Sequence, residues 1–370
     1  MTSSTTCPRP GSLRGGQLGQ RLRSAIGDGA ASLRRALRTS VARGTAALRH
    51  LLRRAADPVV GSGSDPVPAE GVTAAAAGAG TTGAADRRLA RRLSVAVAGL
   101  MAASSVAGLT WRGLYRDAPA NAATFRAYDL GSLTVATPLL AGALARARRG
   151  SPRAELLWAG MLASVVYTYA YHVFGAAFNA LFLVHVALFG LAAVALVLAL
   201  RSLDVAAIAD RIRPRTPVRA VSAVLGLLAA SLGGMWTWFS LRFAVTGAPP
   251  EEGLLLQPAP VGHLGYAMDL TTLVPGYATA SVLLWRRRPW GYVLGAVLLV
   301  ASAVVQVDYV LALAAQAAAR IPGATAFDPQ EPFIAAAITG AAAVLVAGLR
   351  PDPGTRGAAH AGPAATEARR

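Results

Sequence analysis

From residue 93 onward the chain alternates between long apolar blocks and short polar connections. Eight blocks stand out, at 93–111, 129–145, 154–174, 178–200, 218–241, 266–285, 290–310 and 332–349. A helix rises 1.5 Å per residue, so about 20 apolar residues cross a hydrocarbon layer. Each block is close to that length, which predicts an all-α membrane protein with about eight transmembrane helices over 89–350. The blocks at 129–145 and 332–349 are short and predict little tilt.

The first 88 residues are different. They are rich in Gly, Ala, Ser, Thr and Arg and contain no apolar signal-peptide core near Met1. Leu33, Leu37, Leu48, Leu51 and Leu52 share a face over 32–54, with arginines opposite. That stretch reads either as an amphipathic helix or as part of a largely disordered basic arm. An Arg-rich, acid-poor leader also has the composition of an organelle transit peptide. Residues 57–85 carry Asp-Pro, Gly-Ser-Gly-Ser and Ala/Gly runs and read as a linker. Residues 351–370 read as a disordered tail.

The charge pattern sets an orientation. Connections after blocks two, four and six carry twelve arginines: Arg146, Arg148, Arg149, Arg153, Arg201, Arg211, Arg213, Arg215, Arg219 and Arg286 to Arg288. The odd connections carry five. The positive-inside rule places both termini in the cytoplasm of a cell-membrane protein. The six tryptophans sit at block ends, with Trp111, Trp236 and Trp238 at the outer interface and Trp158, Trp285 and Trp290 at the inner one, as an aromatic belt.

Composition narrows the partners. Charged residues are only 15% of the chain, against about 25% in soluble domains. All 36 basic residues are Arg. The N-terminal arm, with its excess of Arg, favours anionic lipid head groups. It has no aromatic residue to stack on bases, so a nucleic-acid partner is not expected. The lone Cys7 excludes an intramolecular disulfide and a Cys-based metal cluster. No cofactor is predicted.

A local repeat links the two halves. Tyr128-Asp129-Leu130 and Met268-Asp269-Leu270 each lead into an apolar block, are followed by Pro138 and Pro275, and end at a basic loop. Trp158-Ala-Gly and Trp290-Gly then open the next block. This pattern suggests two four-helix repeats in parallel orientation, related by an axis along the membrane normal.

Polar groups inside the blocks gather toward the outer side. They are Asp129, Asp269, His172, Asn179, His185, Gln306 and Asp308. Intramembrane ionisable groups usually face a bundle interior or a wet cavity, so they predict an outward-facing polar pocket. The plainer reading makes Asp129 and Asp269 helix N-caps. Ser164, Thr168 and His172 form one stripe of the third block, and Tyr167, Tyr171 and Phe174 a neighbouring one. His185 is placed about two turns into its block, which argues against a single haem held by both histidines. No nucleotide-binding Gly-Lys loop, His-Glu-x-x-His or Gly-x-Ser-x-Gly occurs.

The segment from Gly113-Leu-Tyr-Arg-Asp to Tyr169-x-Tyr-His-Val-Phe-Gly-Ala-Ala-Phe-Asn resembles a group of uncharacterised bacterial polytopic membrane proteins. The resemblance covers about residues 93–350 and implies a fold without an activity. Three functions stay open: a carrier or binder of a small molecule or ion, a membrane-embedded enzyme (metal-dependent hydrolase or transferase), and a non-catalytic assembly or sensor component. Oligomeric state is not legible.

Overall fold

A computed structural model describes residues 69–248, 255–257 and 259–350, with the side chains of 69–82, 259 and 260 left aside. The amphipathic stretch at 32–54 and the tail at 351–370 lie outside the described residues. The chain divides into a unit of residues 1–72 and one of residues 73–370. The described part of the second is helical, with no strand.

Among the described residues, nine helices follow in order. They are α1 (Ala69–Thr110), α2 (Pro119–Ala147), α3 (Pro152–Phe174), α4 (Phe182–Arg201), the short α5 (Val205–Asp210), α6 (Val218–Thr246), α7 (259–285), α8 (Pro289–Ala318) and α9 (Glu331–Gly348). Proline stands at the first or second position of α2, α3, α8 and α9, where its missing N–H and fixed φ cost nothing. Gly247 ends α6 with φ +67, a conformation that L side chains rarely adopt. Helix α1 begins inside the stretch read as a linker. Its Ala-rich run from Ala74 to Ala77 has the best intrinsic helix propensity, which outweighs the scattered glycines.

Six described helices are long and apolar enough to cross a membrane: Gly83–Thr110, α2, α4, α6, α8 and α9. Helices α3 and α7 coincide with the third and sixth predicted blocks but carry more polar side chains. In α3 these are Tyr167, Thr168, Tyr169, Tyr171 and His172, and in α7 Asp269, Thr271 and Thr272.

Helices α2 and α7 share a feature that the sequence only hinted at. Each contains one π-helical turn, at Ser132–Ala136 and Asp269–Leu273. In each, the residue before the proline donates its N–H five residues back, Thr137 to Ser132 and Val274 to Asp269. Proline cannot donate, and its ring collides with the carbonyl four residues earlier. The wider turn relieves that collision. At that earlier position both helices carry threonine, and each hydroxyl bonds back one turn: Thr134 to the Leu130 carbonyl at 2.6 Å and Thr271 to Ala267 at 2.5 Å. The turn keeps its distance from the proline rather than from the aspartate. It also redirects α2, whose first half packs on α8 and second half on α3.

Helices α3 and α8 cross at the centre, where Gly160 lets Val300 approach. The larger apolar core spans the half of the bundle that contains Trp158, Leu162, Leu284 and Leu345. A smaller one, built on Leu114, Tyr115, Phe125, Tyr128 and Tyr171, occupies the other end.

The Arg-rich connections meet at one end. Arg91 donates to the Ala147 carbonyl at 2.9 Å, Arg87 to Ser202 at 2.6 Å, and Arg153 to Leu349 at 3.0 Å. These carbonyls close α2, α4 and α9, so the guanidinium groups satisfy helix ends where the dipole is negative. Arg87 also pairs with Glu155 at 3.2 Å, and Arg201 with Asp86 at 3.3 Å. Of the tryptophans, Trp111, Trp238, Trp285 and Trp290 are exposed as a belt requires. Trp158 is not: it is buried and donates to Ser94 at 2.9 Å. The two Trp-Gly openings therefore differ, since Trp158 lies a turn and a half inside α3 and Trp290 at the start of α8.

Candidate functional site: a buried polar layer around α3

Between the two apolar cores, residues 167–172 of α3 turn polar groups to three sides. Tyr167 and Tyr171 are four residues apart, as are Thr168 and His172, so each pair shares a face. Tyr169 takes the third, and His172, three residues on, lies at the edge it shares with that side.

The first side faces α7 and α6. Tyr167 donates to Asp269 Oδ1 at 2.6 Å, and Trp236 of α6 donates its Nε1–H to Oδ2 at 2.9 Å. The second side faces α8, where the Thr168 hydroxyl donates to Asp308 Oδ2 at 2.9 Å. A Cβ on Gly131 of α2 would lie 2.2 Å from Asp308 Oδ1, so the absence of a side chain there makes room for the carboxylate. The third side faces α4 and α1. His172 and His185 meet edge to face with ring centroids 4.8 Å apart, and Tyr169 lies 5.0 and 5.8 Å from them.

Asp129 completes the layer from α2. Tyr115, in the connection after α1, donates to its Oδ2 at 2.6 Å, and Gly108 of α1 provides the space for the carboxylate. The Tyr115 ring lies 6.3 Å from His172, and that of Phe125 5.1 Å. Burial, and next the charge of Asp129, push the Tyr115 phenol well above its ordinary range. It therefore acts as a donor at any physiological pH.

The donors to all three carboxylates are neutral phenols, an indole and a hydroxyl. Several atoms remain without a hydrogen-bond partner among the described residues: Asp129 Oδ1, His172 Nε2 and both ring nitrogens of His185. His172 Nδ1 lies 3.1 Å from the Thr168 carbonyl, so it carries the proton and a neutral ring leaves Nε2 as an acceptor.

Several expectations change here. Asp129 and Asp269 are not N-caps. Each lies ten residues after the first residue of its helix, Pro119 and Ala259. His185 is not two turns deep. Helix α4 starts at Phe182, so His185 is in its first turn and level with His172 near the end of the antiparallel α3. The direct ring contact leaves no room for a haem plane between them. Nor is the layer open: Asp129 and His185 are 0% exposed, His172 1%, Asp308 5% and Asp269 7%. The smaller apolar core covers it.

Asn179 stands apart from the layer. Its Oδ1 accepts from the Leu181 N–H at 2.9 Å and its amide donates to Ala177 at 3.1 Å, which fixes the α3–α4 connection. Gln306 instead donates to Glu331 at 2.7 Å on α9. Among the described residues, no group of three or more His, Cys, Asp or Glu is placed to hold a metal ion.

Sequence reasoning missed Tyr115, Trp236, Gly108 and Gly131. Trp236 was assigned to the belt, and the other three contact the acids only through the tertiary fold. It also missed Gln316, fully buried, which bonds Thr124 at 3.0 Å and both backbone groups of Leu256. Comparison with protein-family models, curated proteins and solved structures returned no match.

Proposed function

We propose that this chain is a multi-pass membrane carrier or binder of a small solute or ion, with the polar layer around α3 as its site. The reading rests on one observation: four hydrogen-bonding atoms of Asp129, His172 and His185 are buried without partners in one neighbourhood. Buried polar atoms are nearly always satisfied, so such a cluster calls for water, a proton or a solute. Intramembrane acids and histidines most often serve such a pathway. The closed layer corresponds to an occluded state, and opening requires the apolar cover at Tyr115, Phe125 and Tyr128 to move.

The same proposal takes α3 and α7 as membrane spans, which gives eight in all. The Arg-rich end is cytoplasmic by the positive-inside rule. The matching π turns of α2 and α7 support two parallel four-helix repeats. Membership in the resembling group of bacterial membrane proteins is compatible with this fold.

The test uses the full chain in sealed proteoliposomes. Proton flux under an imposed potassium diffusion potential is followed with an entrapped pH dye, and a panel of small solutes is screened by thermal stabilisation. Asp129→Asn and His185→Gln should abolish flux or solute stabilisation at unchanged folded yield. If both variants match the native chain in every assay that gives a signal, the layer is structural. No flux and no stabilisation by any solute would also overturn the reading.

A further inference from the structure

We propose that the groove between α6 and α7 at the Arg-rich end binds the head group of an anionic phospholipid. It is remote from the polar layer and does not need the carrier activity; it rests on the proposed placement of α7 as a membrane span.

Two serines join the helices there. Ser222 Oγ donates to the Ser281 carbonyl at 2.8 Å, and Ser281 Oγ to the Ser222 carbonyl at 2.8 Å. Just beyond them the helices leave a groove of about 390 Å³, lined by Ala223, Gly226, Val282, Trp285 and Arg286 as well as the serines. That is within the roughly 300–1,000 Å³ of small-molecule sites. The serine hydroxyls are occupied by each other's helix, so the walls are effectively apolar. The rim is cationic. Arg219 lies 5.6 Å over the Trp285 ring, and Arg286 to Arg288 follow directly. The two ion pairs among the described residues use Arg87 and Arg201, and neither involves these four arginines.

Charge and shape together select the occupant. An apolar trough opening on unpaired arginines suits a molecule with an anionic head and an apolar body. Val282 and Trp285 are half exposed on the outward face of the bundle, where acyl chains run. Trp285 has the exposure of an interfacial residue, and the Arg219 guanidinium stacked on it is held at head-group depth. A free phosphate would use the arginines but not the trough.

Native mass spectrometry of the detergent-purified full chain tests this, with phosphatidylglycerol and phosphatidylcholine added in equal amounts. Native chain should retain phosphatidylglycerol selectively, and excess inorganic phosphate should not displace it. Arg219→Gln/Arg286→Gln should lower the selectivity about 30-fold, as expected of two interfacial arginines. Arg213→Gln/Arg215→Gln, outside the groove, should leave it unchanged. Equal retention of both lipids, or equal loss from the two double variants, would overturn the site, as would displacement by phosphate. Arg286→Gln alone, at an exposed helix end, gives the same readout if the double variant folds poorly.

Discussion

Replacing Gly160 by Ala places a methyl group at the central crossing of α3 and α8. Its carbon would lie 2.6 Å from both Cβ and Cγ1 of Val300, and 3.2 Å from the Val297 carbonyl oxygen. Carbon atoms pack best at about 3.5–4.0 Å, so the overlap is about 1 Å. A rotamer change can move Cγ1 but not Cβ, which is fixed to the backbone. The helices must therefore separate, and in a membrane their association rests largely on close packing. Overpacking costs about 1–3 kcal/mol, offset by about 1 kcal/mol from the better helix propensity of Ala. The net expected loss is up to about 2 kcal/mol, measured by equilibrium unfolding in mixed micelles. The partner is identified by a double-mutant cycle. Val300→Gly should rescue Gly160→Ala with a coupling of about 1–2 kcal/mol, while Val300→Ala, which keeps Cβ, should rescue only in part. Additive losses in the Gly160→Ala/Val300→Gly pair would refute the assigned contact.

Three further outcomes follow from named contacts. Tyr115→Phe leaves buried Asp129 Oδ2 without its donor and should destabilise by about 1–3 kcal/mol; adding Asp129→Leu should recover part of that, read by the same unfolding. Gln316→Leu strands both backbone groups of Leu256 and should cost about 1–3 kcal/mol, with faster proteolysis at residues 255–257; unchanged proteolysis there would count against the assigned role. Arg153→Gln removes the charged donor to the last carbonyls of α9 and should speed hydrogen exchange at that helix end, with slower or equal exchange telling against a capping role.

The helical architecture was legible because apolar block length and arginine placement act one residue at a time. Blocks of about 20 apolar residues must be helices in lipid, where every backbone group needs an internal partner. The two helices that carry both an Asp and a later Pro, Asp129 with Pro138 and Asp269 with Pro275, were also visible, and their prolines anticipate the π turns because the steric conflict is local. Boundaries failed where helices extend beyond the apolar run. Helix α2 starts ten residues before Asp129 through Ala120 to Tyr128, a stretch whose polarity reads as loop but whose inner face is buried. That extension alone turns a cap into a buried acid.

What only the tertiary structure decided is which polar groups meet. Glycines at 108 and 131 look interchangeable with the other glycines of the chain, yet each is the space into which a carboxylate from another helix fits. Trp236 reads as an interface residue and Tyr115 as part of a connection until the packing of α1 on α2 and of α6 on α7 brings them to Asp129 and Asp269. His172 and His185 face each other because α3 and α4 are antiparallel with a connection of only seven residues, 175–181. Hydropathy is a property of single positions and predicts that these residues are buried or interfacial. Hydrogen-bond geometry is a property of pairs distant in sequence, and it is set only when the helices pack.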